Sequence, residues 1–473
     1  MEIWQNFNCT ENKQYKHIAV YSFISHDMGM YGVGYCFIGT RACQSLHSIN
    51  EQLHTFFITY LKELQIRKTS TMRKDSLQKN ICILCIMGLS MFFLPACSDN
   101  YQKALKAYND GDYKRAITFF SEAAEQGDAR AQTRLGECYY EGKGVLQNYT
   151  EAVRWFLKAA EQGNDTAQCY MGNCYVEGHG VEQDLVEAVD WYRKAAEQKN
   201  ADAQCNLGVC YYEGKGVPQD YAEAINWYRK AAEQGNAKAQ FYIGNCYYEG
   251  KGMPQDTTEA AHWLLKAAEQ GNAKAQFYMG VFYYEGKGVP QDYAKAALWH
   301  RKAAEQGDAE AQFFMGCYYL SGQGGIPQNY AGATQWFLKA AEQGNTTAQL
   351  FLGNCYEKGL GVSKDMTSAF NWWYKAAIAG DLEAQFNVGN CYLTGSGTTQ
   401  NSANALTWLL KAANQGYSNA TYNIGLIYQK GIGGIKKDKI EAIRWFLKAA
   451  EQGNFMAALT LVRVYNISPS SKK

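Results

Sequence analysis

The sequence predicts an all-α, right-handed α-α solenoid of stacked helix-turn-helix repeats, and three observations carry that expectation. First, the phrase Lys230-Ala231-Ala232-Glu233-Gln234-Gly235 returns almost unchanged. Its last residue falls at Gly127, Gly163, Lys199, Gly235, Gly271, Gly307, Gly344, Gly380, Gly416 and Gly453. The steps are 36 residues except for two of 37, and each long step carries its extra residue in a glycine-rich loop, Gly324-Gly325-Ile326 or Gly433-Gly434-Ile435. A fixed period in this range marks stacked two-helix units, which tolerate a length change confined to a loop. Second, the chain has 473 residues, whereas a single compact core stops growing at roughly 250–300. A solenoid escapes that limit by burying a continuous seam between neighbours. Third, only 6 prolines interrupt the chain, as long helical stretches require. The 46 basic and 45 acidic residues nearly cancel, which argues against a nucleic-acid partner.

Residues 1–71 carry no trace of the repeat. They hold His17, His26, His47, His54, Cys9, Cys36 and Cys43 at spacings that match no zinc pattern. Met72-Arg73-Lys74 and Lys79 then precede an apolar run over 81–94, which ends in Leu94-Pro95-Ala96-Cys97. A basic segment, a short apolar stretch and a small residue before the cut make a secretory signal. The run has at most 16 apolar or small residues, short of the ~20 that a membrane-spanning helix needs; a short transmembrane anchor is the alternative. The stretch 72–97 resembles a bacterial lipoprotein signal, which implies a diacylglyceryl thioether on Cys97 and an acyl chain on its freed amine. Ser98 after the cysteine resembles the sorting signal for the outer membrane, with the protein on its periplasmic face. Met72 is then the expected start and 1–71 an upstream extension, and peptides from 1–71 in the endogenous protein would sink that expectation.

The unit over 200–235 shows the logic of the repeat. A first helix opens at Ala201 and runs to about Tyr212, with Ala203, Leu207 and Cys210 as its buried stripe. Gly208 sits mid-helix, where it costs about 1 kcal/mol relative to alanine. Glycine holds that place in nine units, from Gly136 to Gly425, so the expected use is close approach of the partner helix. The helix ends at Glu213-Gly214-Lys215-Gly216, whose glycines suit left-handed caps. Asp220 and Glu223 form a capping box for the second helix, repeated at Asn148/Glu151, Asp184/Glu187, Asp256/Glu259 and Asp438/Glu441. Ala224 and Trp227 are expected to be buried, and Ala231-Ala232 to pack the last turn. The tryptophan column Trp155, Trp191, Trp227, Trp263, Trp299, Trp336, Trp372, Trp408 and Trp445 reads as core.

Ala-x-Ala-Gln, the helix glycine, Tyr-x-x-Gly-x-Gly-Val, Asp-x-x-x-Ala-x-x-Trp and Lys-Ala-Ala-Glu-Gln-Gly together resemble the Sel-1-like repeat (SLR) family, longer-looped relatives of the tetratricopeptide repeat. The resemblance covers nine units over 128–453. Residues 98–127, with Ala107-Tyr108-Asn109-Asp110-Gly111-Asp112-Tyr113, look like a plain tetratricopeptide unit serving as the N-terminal cap. Residues 454–466 should form a closing helix, with Val462 where the repeat has glycine, and 467–473 a disordered tail.

Cys138, Cys174, Cys210, Cys246, Cys355 and Cys391 share one repeat position, held elsewhere by Phe282, Tyr318 and Ile427, and so read as buried core. Some bacterial SLR proteins carry a disulfide in each unit, but alanines such as Ala195 and Ala231 stand at the second-helix sites it would need. Certain cysteine-rich SLR proteins have been named as β-lactamases. Here Ser76–Lys79 and Ser98–Asn100 offer Ser-x-x-Lys and Ser-Asp-Asn only at the signal and the cut, with no Lys-Thr-Gly. The Gly-x-Gly loops follow no strand and precede no Gly-Lys-Ser/Thr, so they are not phosphate cradles. His179, His262 and His300 stand alone. No catalytic residue, metal site or cofactor is expected.

Binding is expected on the face of the first helices away from their buried stripe. One column there contains Tyr170, Tyr242, Tyr278, Phe314 and Phe351, and the next contains Asn173, Asn245, Asn354 and Asn390. Resemblance to tetratricopeptide solenoids places these helices on the concave surface, giving an aromatic groove edged by asparagines for a protein or peptide partner. The alternative for the same rings is packing between adjacent units. The expected function is a non-enzymatic scaffold for protein–protein interaction, lipid-anchored in the bacterial cell envelope. An envelope hydrolase of the β-lactamase type and a secreted effector binding host proteins are the alternatives.

Overall fold

The computed structural model describes residues 18–25, 30–37 and 100–467, and the chain divides into two compact units, Met1–Ala96 and Cys97–Lys473. In the first unit, strand β1 (Ile18–Ser25) pairs antiparallel with strand β2 (Met30–Phe37), from Ile18 opposite Phe37 to Ser25 opposite Met30. Both segments are rich in the β-branched and aromatic residues that favour strands. The segment 72–97 expected to be a leader, its Cys97, and residues 468–473 lie outside the described residues.

The second unit is an all-α solenoid. Residues 100–109 and Tyr113–Glu125 form the first helical pair. Nine units follow, each with two helices of 13 residues, from Ala129–Glu141 and Tyr149–Glu161 to Ser418–Lys430 and Lys439–Glu451. The helix Phe455–Tyr465 closes the array. Each first helix packs along the second helix of its own unit, which in turn packs on the next first helix. Ile467 still belongs to the fold, because its N–H donates to Leu461 O (3.0 Å) and its side chain packs on the last core cluster.

In the unit over 201–236, Asn200 caps the first helix by accepting from Ala203 N (2.9 Å). Gly214 ends that helix in the left-handed region at φ 70°. Gly216, also left-handed, is there for a second reason: a Cβ on it would run into the backbone of Leu185 in the preceding unit. The Gly-x-Gly loop is thus a close approach between units. Asp220 caps the second helix by accepting from Glu223 N (3.0 Å). The expected return bond from Glu223 is not what satisfies the cap, whose own N–H donates to Tyr211 O (2.9 Å) and closes the loop. Half of the capping box is therefore replaced by backbone.

The mid-helix glycine does bring the two helices together, and it does so on one side chain. A Cβ on Gly136 would lie 2.6 Å from the ring of Phe156, and one on Gly208 2.6 Å from the ring of Tyr228. The same overlap occurs at Tyr192, His300, Phe337, Trp373 and Phe446, each one residue after the tryptophan column. That second column is the buried centre of the unit, with Phe156, Tyr228, Phe337 and Phe446 fully enclosed. The tryptophans themselves differ from expectation. Trp191, Trp299 and Trp408 are buried, but Trp227 and the other five are half-buried. In all nine units the lysine three residues on lies over the indole, from 3.8 Å at Lys230 to 5.0 Å at Lys448. The distances run from the lysine Nζ to the ring centre, so each is a cation–π contact, which suits an indole at the edge of the core.

A line of buried glutamines joins the units. Gln204 donates to Ala196 O of the preceding unit (3.0 Å) and accepts from Gln234 Nε2 of its own (2.7 Å). The same pair of bonds recurs at Gln132, Gln168, Gln240, Gln276 and Gln312. It breaks at Gln349, which reaches Ala341 O (3.1 Å) but faces Ala379 where the phrase elsewhere supplies glutamine. Ala379 has the helical backbone (φ −71°, ψ −5°) that Gln234 has at the equivalent cap. Ala379→Gln is therefore expected to raise the unfolding free energy by about 0.5–1.5 kcal/mol, the net worth of one hydrogen bond, as measured by denaturant unfolding.

Candidate binding groove

The five aromatic residues expected on the binding face are all half-buried. Their inner sides are engaged with the preceding unit. Tyr170 stacks on Phe156 (centroids 4.7 Å, planes 2° apart), Tyr242 on Tyr228 (5.0 Å, 13°) and Phe314 on His300 (4.5 Å, 12°). Phe351 leans on Phe337 (5.5 Å, 46°). Tyr278 has no ring beneath it, because Leu264 holds that place; it packs beside Phe241 and Tyr248. The rings therefore pack between units on one side and keep part of their surface exposed on the other.

The four asparagines are also half-buried and are tied down within the chain. Asn173 accepts from Tyr192 Oη (2.7 Å), and Asn354 accepts from Trp373 Nε1 (3.0 Å). Asn245 donates to Glu249 (3.0 Å), and Asn390 accepts from Asn423 (2.8 Å). Where the column lacks asparagine the pattern fails: Val209 stands below Tyr228, whose buried hydroxyl has no hydrogen-bond partner. In the first unit Arg134 and Glu137 take the two places and form an ion pair (2.7 Å). Burial outweighs that partner and raises the Glu137 carboxyl above its ordinary range.

Two features of this face escaped the sequence reading. The position before the aromatic column changes from Thr133, Cys169 and Cys205 to Phe241, Phe277 and Phe313, which doubles the aromatic content of the middle units. Phe241 touches Tyr278, Phe277 touches Phe314 and Phe313 touches Phe351. Reading the neighbouring column with the chosen one would have found this. The second feature is a cavity of about 300 Å³ where Asn206 interrupts the aromatic column between Tyr170 and Tyr242.

The cysteines at the shared repeat position are buried, as expected. Burial pushes the thiols of Cys169, Cys174, Cys205 and Cys246 up to about 12, so they are protonated and unreactive at neutral pH. Among the described residues, no three His, Cys, Asp or Glu side chains come together to hold a metal ion. No helix among them is long and apolar enough to cross a membrane.

This architecture defines a class, the α-α solenoid built from helical hairpin repeats. The Sel1 repeat matches residues 107–128, 129–164, 165–200, 201–236, 237–272, 273–308, 309–345, 346–381, 382–417 and 418–454. The chain belongs to the Sel1 repeat family. It is similar to a protective antigen of uropathogenic Escherichia coli that displays an SLR fold, at 37% identity and a TM-score of 0.63, covering 78% of this chain and 81% of that one. It is also similar to a Sel1 repeat protein from Oxalobacter formigenes, at 34% identity and a TM-score of 0.48, covering 66% of this chain and 90% of that one. None of the curated proteins compared matches it. Of the segment 98–127, expected to be a plain tetratricopeptide cap, the part from 107 on falls within a Sel1 repeat match over 107–128. Proteins of this family generally act as protein–protein interaction scaffolds, and their fold is typically non-enzymatic.

Proposed function

We propose that this protein is a non-catalytic scaffold that binds a protein or peptide along the concave face of its first helices. A lipid on Cys97 would hold it at the periplasmic face of the bacterial outer membrane. The observation that carries the groove is the run of half-exposed rings Tyr242, Tyr278, Phe314 and Phe351 on successive first helices, with Phe241, Phe277 and Phe313 beside them. Rigid aromatic side chains already fixed by stacking lose little entropy when a partner covers them. The anchor is supported by the lipobox-like Leu94-Pro95-Ala96-Cys97, which ends just before the first described helix begins at Asn100. Several acyl chains, at about 0.8 kcal/mol per buried CH₂, make a durable anchor.

Cross-linking from envelope membranes, with the anchored protein as bait, tests the groove. The triple variant Tyr242→Ala, Tyr278→Ala, Phe314→Ala is expected to lose its cross-linked partner with helix content unchanged by circular dichroism. Because two of those rings stack on the core, Tyr278→Arg is the cleaner probe, having no ring beneath it to unseat. Partner capture that survives Tyr278→Arg would sink the groove. The anchor is tested by labelling cells with a clickable palmitate analogue. The label and the membrane fraction are both expected to be lost in Cys97→Ser.

A further inference from the structure

The closing helix Phe455–Tyr465 is apolar on two opposite sides. Its inner side, Ala457 and Leu461, is fully buried against Phe446 and Ala449 of the helix Lys439–Glu451. Phe455, Leu459 and Val462 follow at steps of four and three, which puts them on one face turned away from that core, with Met456 beside them. Phe455 is 75% exposed, Met456 52% and Val462 48%. In nine units the first helix packs along the second helix of its own unit, but no described helix follows the closing one. A helix that is apolar all round is ordinarily covered all round, and the end of a solenoid ordinarily presents a polar face. This end does not.

The charge of the chain changes sign at the same place. Residues 97–429 hold 28 basic and 36 acidic side chains, whereas 430–473 hold 9 basic and 3 acidic. Lys439 Nζ lies over the ring of Tyr465 in the last turn of the closing helix (5.7 Å), which brings Lys436 and Lys437 of the preceding loop to the same end as Arg463. Among the described residues, none of these four cations has a carboxylate at ion-pair distance. Two of the three acids are already engaged. Asp438 caps its helix, accepting from Ile440 N (2.9 Å) and Glu441 N (3.0 Å), and Glu441 pairs with Arg444. Glu451 is the third.

The occupant of this face must be apolar toward the stripe and anionic around it. A further helix of the repeat type is blocked by Val462. It stands in the column that nine units give to glycine, where a Cβ would lie 2.3–2.9 Å from a side chain of the covering helix. A second copy docking through its own closing helix would set two basic rims against each other, which costs affinity. An anionic bilayer meets both needs. Its surface yields to the shape of the helix, takes apolar side chains at the acyl boundary and sets phosphates beside lysine and arginine. We propose that the closing helix is a docking surface for anionic phospholipid, lying in the headgroup layer with Phe455, Leu459 and Val462 toward the acyl chains. This contact is separate from acylation of Cys97 and from the first-helix groove, and it depends on neither.

Hydrogen exchange read by mass spectrometry on the full chain tests the proposal, because the signal is local to 455–465 whatever else holds the chain to a vesicle. Vesicles of phosphatidylglycerol are expected to slow exchange across 455–465 at least threefold. Vesicles of phosphatidylcholine should leave it unchanged, and salt at about 0.5 M should reverse the effect of phosphatidylglycerol. The double variant Phe455→Ser, Val462→Ser is expected to lose the protection. Should that variant fray the helix, the triple variant Lys436→Gln, Lys437→Gln, Arg463→Gln alters only exposed side chains. It is expected to need at least tenfold more phosphatidylglycerol for half of the protection. No slowing with phosphatidylglycerol, equal slowing with phosphatidylcholine, or undiminished protection in the triple variant would each overturn the proposal. So would protection without vesicles that grows with protein concentration, since a second copy would then cover the face.

Discussion

Gly316→Ala is expected to disrupt the middle of the solenoid, at a net cost of about 2–3 kcal/mol. In isolation the change should help, because alanine is favoured over glycine in a helix by about 1 kcal/mol. The neighbour reverses the sign. A Cβ at Gly316 would overlap Cδ1 and Cε1 of Phe337, a fully buried ring that is wedged between two helices and also touches Phe313 and Phe351. A ring held on both faces has no alternative rotamer to take, so the helices must separate, which opens the glutamine bonds nearby as well. Gly244→Ala supplies the graded control. There the nearest atom is Leu264 Cγ at 2.9 Å, and a leucine side chain yields more readily than a ring. Its net cost is expected to lie between about 0 and 1 kcal/mol. Denaturant unfolding of both variants measures the difference. Because each unit touches only its neighbours, the Gly316 variant should also show a broadened or two-step transition. Equal stabilities for the two would refute the ring-against-glycine account.

Gly316 also shows how much of this fold could be read before coordinates. The period, the helix limits, the cap glycines and the close approach at the mid-helix glycine follow from invariant residues, because an invariant residue repeats at a fixed place. The core partner of that glycine was missed for the same reason. Its column reads Phe156, Tyr192, Tyr228, Leu264, His300, Phe337, Trp373, Leu409 and Phe446, which have volume in common but no identity. The eye goes instead to the constant tryptophan one residue earlier, which turns about 100° away on the helix and lies at the edge under a lysine. Gln204 and its equivalents were hidden differently. A repeated glutamine reads as solvated surface, and only the arrival of Gln234 from 30 residues on makes it a buried connector. The groove columns were legible as positions, but their outward exposure depends on what lies beneath each ring. The cavity beside Asn206 was not legible at all, since it forms where side chains of three successive first helices meet.

His300, which the sequence left without a role, leads to the second large effect: mild acid should destabilise this protein through one residue. His300 is fully buried in the column otherwise held by large apolar side chains. It stacks on Phe314 and packs against Gly280, and its Nδ1 pairs with Tyr318 Oη at 3.1 Å. Its Nε2 is enclosed with no partner. Burial alone holds its pKa down, from 6.5 to about 3. Above pH 6.5 the ring is neutral in both folded and unfolded chains and contributes nothing to the pH dependence. Below 6.5 the unfolded chain takes up a proton that the folded one refuses, so stability falls as the pH falls, and it continues to fall until about pH 3. The slope approaches 1.4 kcal/mol per pH unit, or roughly 2.5 kcal/mol lost between pH 6.5 and 4.5. The capping carboxylates Asp292 and Asp365, held below their ordinary value by hydrogen bonds, titrate beneath that window, whereas Glu137, raised by burial, takes up its proton earlier in the folded chain and offsets part of the fall. The double variant His300→Phe, Tyr318→Phe replaces the pair by residues that other units use at the same places, Phe337 and Phe282, and strands neither polar atom. Its denaturation midpoint is expected not to fall across pH 6.5–4.5 where the wild type declines. A wild type that likewise does not fall would mean that the imidazole finds water or a partner in the folded chain, and the burial argument for its neutrality would fail with it.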